Sequence, residues 1–359
     1  MSAVLAGERP LHDRVVALAR QLPKLELHVH LEGTVTAERL AAIARRDGLD
    51  IDPRAYAPEL AESSFEAFLV AFMARMHALR RPDDWAAVLD DLCVTQAAQN
   101  AIHTEAYVTL TGALRGEYAA GDVLRAMAEV AADHRRHGVD VLLVMDAPRP
   151  LGPRVCEELV RLCAADGTGL LCGIGIGGPE ESVPTEAFAA AFRLAAELGL
   201  HRTAHAGEHS GPASVRAALE VLGAERVGHA CRAVEDPQVV DLLVARGTYV
   251  DVCPTSNRAT GAWDPSAGPH PLRALHDAGV RLTVGSDDPA VVGGTLTGEW
   301  AGLVLEHGLR PHELVALTLG SVAACFLPPV ERARLRARVD ADIIDLNDEA
   351  AALEEALAW

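Results

Sequence analysis

Eight short apolar segments, separated by stretches of helical periodicity, set the pattern of this 359-residue chain. The apolar segments lie near residues 24–30, 102–108, 139–145, 170–176, 202–206, 226–229, 248–252 and 281–285. The stretches with helical periodicity include residues 11–21, 123–136, 185–198, 213–222 and 237–246. Strands that alternate with helices pair in parallel, so eight such units predict a (β/α)8 TIM barrel of the α/β class. We see no internal repeat or linker, and expect a single domain over residues 1–359.

The first and second predicted strands are separated by an unusually long segment, residues 31–100, which predicts a helical insertion. Apolar side chains recur in it at three- and four-residue spacing, which is typical of an amphipathic helix. They are Phe65, Phe68, Leu69, Phe72, Met73 and Met76. The helix could pack against the barrel, or act as a lid with Phe65 and Phe68 touching a ligand. Both can hold, because the insertion follows the first strand at the face where barrel active sites form.

The first predicted strand contains an alternating His-x-His pair. Side chains alternate along a strand with a period of two, so His28 and His30 project to the same side. Two imidazoles in this arrangement can bind one metal ion.

Further metal-ligating and acid–base side chains follow the fifth, sixth and eighth predicted strands. They are His205, Glu208, His229, Asp287 and Asp288. The ends of parallel strands in a closed barrel converge on one mouth, so these groups should meet the two histidines. Three histidines and a carboxylate suit zinc or a similar divalent ion. One of the two adjacent aspartates should face the metal, and spacing does not decide which.

A metal ion at this position would lower the pKa of a bound water to near 7, which is the basis of metal-assisted hydrolysis. The reaction also needs a group that orients or deprotonates the water and one that delivers a proton to the substrate. His229 is the candidate for the first role and Glu208 for the second. Gly207 permits the tight turn that would direct Glu208 into the mouth.

Composition excludes several other classes of function. The net charge of −19 and the absence of a basic run argue against nucleic-acid or anionic-membrane partners and favour a small-molecule substrate. Residues 1–22 have no apolar core of a signal peptide, and the seven cysteines form no Cys-x-x-Cys pair, so we expect a cytoplasmic protein with reduced thiols. Lys24 is the single lysine, which leaves no candidate for Schiff-base chemistry or for a carbamylated lysine bridging two metals.

Six segments of the chain resemble the adenosine deaminase family of the amidohydrolase superfamily, which includes adenosine, adenine and 6-aminodeoxyfutalosine deaminases. They are LPK at 22–24, HVHLEGT at 28–34, HAGE at 205–208, GH at 228–229, CPTSN at 253–257 and SDDP at 286–289. Their order and spacing are similar to those of the family over nearly the whole chain.

The resemblance implies a hydrolytic deaminase that replaces the 6-amino group of a purine by oxygen, with one zinc ion per chain. The implied zinc ligands are His28, His30, His205 and Asp287, with Asp287 also part of the catalytic set. Glu208 would protonate ring N1 while water attacks C6, and His229 would assist that water. Asp288 would contact N7, and the backbone N–H of Gly178 would contact N3.

The substituent on N9 of the purine stays open. Adenosine-specific members have an aspartate at position 32, and that aspartate contacts the ribose. This chain has Glu32 there instead, as adenine-deaminase-like relatives do. The segments 177–180 and 253–257 look more like members that act on nucleosides, including 6-aminodeoxyfutalosine deaminases.

Remoter alternatives are another metal-dependent hydrolase, acting on an amide, lactone or phosphoester, and a non-catalytic metal- or nucleoside-binding protein. A cytidine-deaminase-type enzyme is disfavoured because its cysteine-containing zinc signature is absent. The oligomeric state is not predicted.

Overall fold

Eight parallel strands in sequential order form the centre of the molecule, which we describe from a computed structural model over residues 2–56 and 64–357. The strands are β1 (Lys24–His30), β2 (Ala101–Val108), β3 (Asp140–Pro148), β4 (Leu171–Gly177), β5 (His201–Ala206), β6 (Arg226–His229), β7 (Tyr249–Val252) and β8 (Arg281–Val284). All eight overlap the segments predicted from the sequence. They confirm the predicted (β/α)8 TIM barrel of the α/β class.

The barrel closes between its first and last strands, immediately beyond the end of β8. The backbone N–H of His30 donates to the carbonyl of Asp287 (2.7 Å), and the N–H of Asp287 donates to the carbonyl of His28 (3.1 Å). A parallel bridge between Val29 and Asp287 completes the contact. The seam of the barrel therefore lies at residues that the sequence singled out for metal binding.

The helices pack around the barrel and cover its outer surface. They are α1 (Ser2–Gln21), α2 (Ala37–Asp47), α3 (Phe65–Ala78), α4 (Pro82–Ala98), α5 (Thr111–Leu114), α6 (Ala120–Arg136), α7 (Gly152–Ala164), α8 (Ala189–Glu197), α9 (Pro212–Glu220), α10 (Pro237–Arg246), α11 (Pro254–Ala259), α12 (Leu272–Asp277), α13 (Pro289–Val292), α14 (Leu296–Leu305), α15 (Pro311–Ala324), α16 (Pro329–Asp342) and α17 (Ile344–Leu357). Within the described ranges, no helix is both long and apolar enough to cross a membrane.

Local sequence fixes the bounds of some of these helices directly. Asp236 caps the start of α10 by accepting the backbone N–H of Gln238 (2.9 Å), and a proline occupies the first turn. Gly247 ends the helix with φ of 62°, in the left-handed region that glycine adopts without strain. The predicted helix over 237–246 is thus confirmed at both ends.

Two other helices differ from their predicted bounds. The helix predicted over 11–21 begins at Ser2. The one predicted over 185–198 is divided into a 3₁₀ turn, Thr185–Phe188, and α8. The hydroxyl of Thr185 bonds to Arg149 (3.2 Å) and to Ser214 (3.0 Å), and these tertiary contacts hold the first turn in the tighter form.

The segment between β1 and β2 contains α2, α3 and α4, which confirms the predicted helical insertion; residues 57–63 of it lie outside the described part of the chain. The buried Arg75 fixes α3 in place. Its guanidinium donates to the carbonyls of Val35 (2.8 Å), Ala55 (2.7 Å) and Ala71 (2.9 Å). The opposite side of α3 faces the barrel mouth, so the helix both packs on the barrel and covers its opening.

Candidate active site

Side-chain atoms of the four predicted metal ligands converge at the barrel mouth, where they lie within 4.8 Å of one another. His30 Nε2 is 3.1 Å from His205 Nε2. Asp287 Oδ1 is 3.3 Å from His28 Nε2 and 3.4 Å from His30 Nε2. Atoms bound at about 2.0–2.1 Å to one tetrahedral ion are about 3.3 Å apart, so these spacings fit a single metal ion.

Neighbouring groups orient three of these four side chains. The carbonyl of Ile176 accepts the Nδ1–H of His205 (2.9 Å), which leaves the Nε2 lone pair of His205 free. Ser256 Oγ donates to Asp287 Oδ2 (2.6 Å), and Asp251 Oδ2 lies 3.6 Å from Nδ1 of His28. Partners of this kind set the tautomer and orientation of metal ligands.

The unsatisfied atoms of the cluster also fit a cation. Nε2 of His28 is buried and has no hydrogen-bond partner in the described structure. Burial lowers the pKa of His30 to about 3, so its ring is neutral and its nitrogen can act as a ligand. A set of three imidazoles and one carboxylate, without a thiolate, suits a divalent metal.

Backbone strain marks the same place. His229, Ala230 and Asp287 have positive φ values of 64°, 47° and 62°, although none of them is glycine. Such conformations are costly and concentrate at functional sites. The strain turns the chain sharply at the ends of β6 and β8, where the side chains of His229 and Asp287 enter the mouth.

Glu208 follows β5 on a loop that is held by another carboxylate. Glu180 accepts the backbone N–H groups of Gly207 (2.9 Å), Glu208 (2.9 Å), His209 (2.7 Å) and Ser210 (2.9 Å). Gly207 has φ of 68°, as the predicted tight turn requires. The loop therefore presents a fixed Glu208 side chain to the cavity.

Two carboxyl groups in the mouth favour the protonated form. Burial raises the pKa of Glu208 to about 7. Burial, together with the neighbouring Asp287, raises the pKa of Asp288 well above its usual range, and Oδ1 of Asp288 has no hydrogen-bond partner in the described part of the chain. Both groups can therefore donate a proton or a hydrogen bond at neutral pH.

His229 stands between the acid and the metal ligands. Its Nε2 lies 3.8 Å from Oε2 of Glu208 and 4.0 Å from Oδ2 of Asp287. This nitrogen can reach a water molecule held beside either carboxylate.

A cavity of about 490 Å³ opens above the cluster. Its apolar wall comes mainly from α3, the last residue of β3 and the turn after it: Phe65, Phe68, Leu69, Phe72, Met73, Met76, Pro148, Pro150 and Leu151. Gly178, with φ of 80°, also lines it. A pocket of this volume has room for a drug-sized ligand.

Glu32, predicted to contact the substituent of the substrate, is not among the residues that line the cavity. It is fully buried, and its Oε1 accepts the backbone N–H of Thr109 (2.7 Å). The cavity wall at this point is formed by Thr109 and by Asp146 at the end of β3. Direct contact between Glu32 and a substrate stays a prediction, and a supporting role under Thr109 is what the hydrogen bond indicates.

The single lysine lies at the other end of β1. Nζ of Lys24 donates to the carbonyls of Ala19 (2.6 Å) and Leu22 (2.9 Å), far from the mouth. The single lysine therefore lies outside the candidate metal site.

A family model described as "Adenosine deaminase" matches residues 23–342. The chain belongs to the adenosine deaminase family. It is 36% identical over 329 residues to the adenine deaminase of Streptomyces coelicolor, which covers 89% of this chain and 95% of that protein. It is 35% identical over 315 residues to the aminodeoxyfutalosine deaminase of Acidothermus cellulolyticus, with 84% and 87% covered. The fold is similar to a crystal structure of an amidohydrolase from Burkholderia ambifaria with bound Zn, at a TM-score of 0.86, 26% identity and 94% coverage of each chain.

Membership of the adenosine deaminase family makes this chain a hydrolytic deaminase that acts on a carbon–nitrogen bond, with a 6-aminopurine as the class of substrate. The geometry of the mouth and the zinc-bound neighbour support a divalent metal.

Sequence reasoning missed several residues of this deaminase site. Ser256 and Asn257 belong to the CPTSN segment that carries the resemblance, but the sequence alone gives neither residue a role. Asp146 directly follows the third predicted strand segment, so the rule that identified the other strand-end groups would have found it. Glu180 had no comparable signal, because its role depends on a loop that is distant in sequence.

Proposed function

We propose that the enzyme deaminates a 6-aminopurine with a sugar on N9, such as adenosine or a related adenine nucleoside, using one zinc ion per chain. The reaction consumes one water molecule, converts the C6 amino group to an oxo group and releases ammonia. His28, His30, His205 and Asp287 would hold the zinc, which supplies a Lewis acid that makes water nucleophilic near neutral pH. The remaining steps belong to side chains of the protein.

Glu208 is the proton donor to ring N1. Attack at C6 places negative charge on the ring, and a proton at N1 neutralises it. A carboxyl with a pKa of about 7 is matched to this task, because it is substantially protonated at neutral pH and still acidic enough to transfer the proton. His229, 3.8 Å from this carboxyl, orients the attacking water.

Asp288 and Gly178 hold the ring. A protonated Asp288 can donate to N7, which is an acceptor, while Glu208 donates to N1. The N–H of Gly178 can donate to N3 from the other side of the mouth. Phe65 and Phe68 supply apolar contacts over the ring and exclude water.

The observation that favours a nucleoside is the polar wall of the cavity opposite His229. In a ring of eight strands, β2 and β3 lie across from β6 and β7, so a purine with C6 at the metal extends its N9 side toward β2 and β3. Thr109 and Asp146 line the cavity there, and each has a buried oxygen, Oγ1 and Oδ1, without a hydrogen-bond partner among residues 2–56 and 64–357. Sugar hydroxyls are suitable donors for these oxygens.

The test is a substrate panel on metal-loaded protein, with ammonia release and the ultraviolet change from 6-amino- to 6-oxopurine as readouts. The panel holds adenosine, 2′-deoxyadenosine, adenine, 6-aminodeoxyfutalosine and methylthioadenosine. We expect the nucleosides to exceed adenine in kcat/KM. A preference for adenine would reject a nucleoside as the substrate. No turnover of any purine, with one zinc bound per chain, would favour a metal-dependent hydrolase of another substrate class or a non-catalytic nucleoside-binding protein.

Asp146→Ala sharpens the same test. Removing one partner of a buried hydrogen bond costs about 1–3 kcal/mol, so nucleoside kcat/KM should fall by about five- to a hundredfold. Adenine, which has no sugar, should be affected much less. Equal loss on both substrates would show that Asp146 does not contact the sugar.

A further inference from the structure

A chain of hydrogen bonds runs from the barrel mouth into the loop after β7. Its first link joins Nδ1 of His229 to the side-chain amide nitrogen of Asn257, at 3.0 Å. Its second link joins Oδ1 of Asn257 to Nε2 of His270, at 3.1 Å. All three side chains are at least 97% buried, with exposures of 1%, 0% and 3%, so water does not compete for these bonds.

The direction of the chain is fixed at its far end. Nδ1 of His270 lies 3.1 Å from the backbone N–H of Leu272, and a backbone N–H can only donate. Nδ1 of His270 is therefore an acceptor, and the hydrogen of its neutral ring is on Nε2. That Nε2–H donates to Oδ1 of Asn257, which settles the orientation of the amide.

The orientation of the Asn257 amide also determines which nitrogen of His229 carries the hydrogen. With Oδ1 of Asn257 occupied as an acceptor, its NH₂ group faces His229 and donates to Nδ1. His229 therefore carries its hydrogen on Nε2, the atom that faces Glu208 and Asp287. A hydrogen on Nδ1 would place two donors against each other in a buried site.

We propose that His270 and Asn257 are positioning residues that hold His229 as the Nε2–H tautomer. His229 then donates a hydrogen bond to the attacking oxygen and does not remove its proton. Each hydrogen of the chain stays on the atom that carries it, so no proton moves through the chain. The catalytic consequence rests on the proposed function, whereas the tautomer itself can be read without turnover.

Asn257→Asp is the decisive variant, because it changes one donor into an acceptor at nearly constant shape. A carboxylate accepts from Nε2–H of His270 as Asn257 does, but it also requires a hydrogen on Nδ1 of His229. In a neutral His229 ring the tautomer is then reversed, and Nε2 becomes an acceptor. We expect kcat to fall by about a hundredfold or more, as when a hydrogen-bond donor to a developing oxyanion is lost, with KM and bound zinc unchanged.

The spectroscopic readout is the pair of ¹⁵N shifts of His229 in histidine-labelled enzyme, measured with and without zinc and assigned by their loss in His229→Gln. The wild type should show an Nε2–H ring, and Asn257→Asp an Nδ1–H ring. An Nδ1–H ring in the wild type, or wild-type kcat in Asn257→Asp, would overturn the proposal. A failure to deaminate any purine would reject the proposed function but leave the tautomer measurement intact.

Variants of His270 separate positioning from packing. Glutamine can donate to Asn257 as the imidazole does, so His270→Gln should retain most of the activity. His270→Leu keeps bulk but loses the donor, so its kcat should fall while KM and zinc content stay constant. The matched control is His307→Gln, since the His307 ring packs 5.4 Å from that of His270 but makes no bond in the chain. Equal effects of leucine and glutamine at position 270 would reject the role of His270.

Discussion

The two ends of the barrel interior treat buried charge in opposite ways. At the amino-terminal end, the Glu105 carboxylate accepts from Arg226 and from the backbone N–H of Phe326, whose ring lies 3.8 Å from the guanidinium. His103 bonds to Glu105 (3.2 Å) and to Asp140 (2.8 Å). Although burial opposes ionisation, Arg226 lowers the pKa of Glu105 to about 2. Charges at this end stabilise one another.

At the carboxyl-terminal end, several buried polar atoms have no partner among the described residues. They are His28 Nε2, Glu32 Oε2, Thr109 Oγ1, Asp146 Oδ1 and Asp288 Oδ1. An unsatisfied buried group costs about 1–3 kcal/mol, so a fold does not keep several of them in one place without a use. The comparison teaches that charged groups at the amino-terminal end are placed against opposite charges, whereas polar groups at the carboxyl-terminal end face a cavity and remain available to a ligand.

One aspartate connects the two ends. Oδ2 of Asp251 lies 3.5 Å from Nε of Arg226 and 3.6 Å from Nδ1 of His28. Through Asp251, the charged network at the amino-terminal end helps to orient the metal ligand His28. Substitutions at the two ends of the barrel can therefore be compared within one protein.

The largest effect is expected for Asp287→Ala, which removes a carboxylate of the metal cluster and leaves the backbone hydrogen bonds of the seam in place. Bound metal and turnover should both be lost. Asp288→Ala is the matched control, because it removes the adjacent carboxylate and should retain the metal while weakening substrate use. Metal analysis and steady-state kinetics on both variants check this, and the reverse result would mean that the two aspartates exchange roles.

Glu208→Gln should retain metal and fold but reduce kcat/KM by about 10²–10⁴-fold, the usual contribution of a general acid. The reason is that an amide cannot deliver a proton to N1. Turnover assays with a bound-metal measurement test this. Near-normal activity would exclude Glu208 as the donor.

Glu105→Gln removes the carboxylate that is paired with Arg226 at the amino-terminal end of the barrel. It leaves the Arg226 charge buried without its main partner, so the free energy of unfolding should fall by about 3–5 kcal/mol. Urea unfolding measures the loss, and kcat of the folded protein should remain unchanged. A large fall in kcat without a loss of stability would show that the two ends are not separable in this way.

The smallest effect is expected from a change of pH, without any substitution. A general acid must carry its proton, so kcat/KM should fall as pH rises through the pKa of Glu208, about 7, by tenfold for each further unit. A pH–rate profile between pH 6 and 9 tests this. A rate that rises over the same range would indicate a required base in place of an acid.

The sequence was sufficient for the barrel and for the convergence of its strand-end groups, because both depend on local alternation and on the rule that parallel strands end at one face. It could not show how the carboxylates divide their tasks. Glu32 turns toward the backbone of Thr109, and Glu180 clamps a loop that lies 27 or more residues further along the chain. Such partners are chosen by tertiary packing, which no spacing in the sequence records.

The positive φ values of His229 and Asp287 were likewise invisible, since neither residue type signals a left-handed turn as glycine does. They exist because hydrogen bonds across the mouth over-determine the backbone there. The orientation of the Asn257 side-chain amide could not be predicted from the sequence either, because it depends on the backbone N–H of Leu272.

The seam at Asp287 has a consequence for how the protein is made. During synthesis, His28 and His30 leave the ribosome early, but the carboxylate that completes their site arrives 257 or more residues later, together with the contact that closes the barrel. A nascent chain therefore carries an incomplete binding site for most of its synthesis. Metal loading is expected to be a final event of biogenesis, and metal occupancy then reports that the last strand has docked.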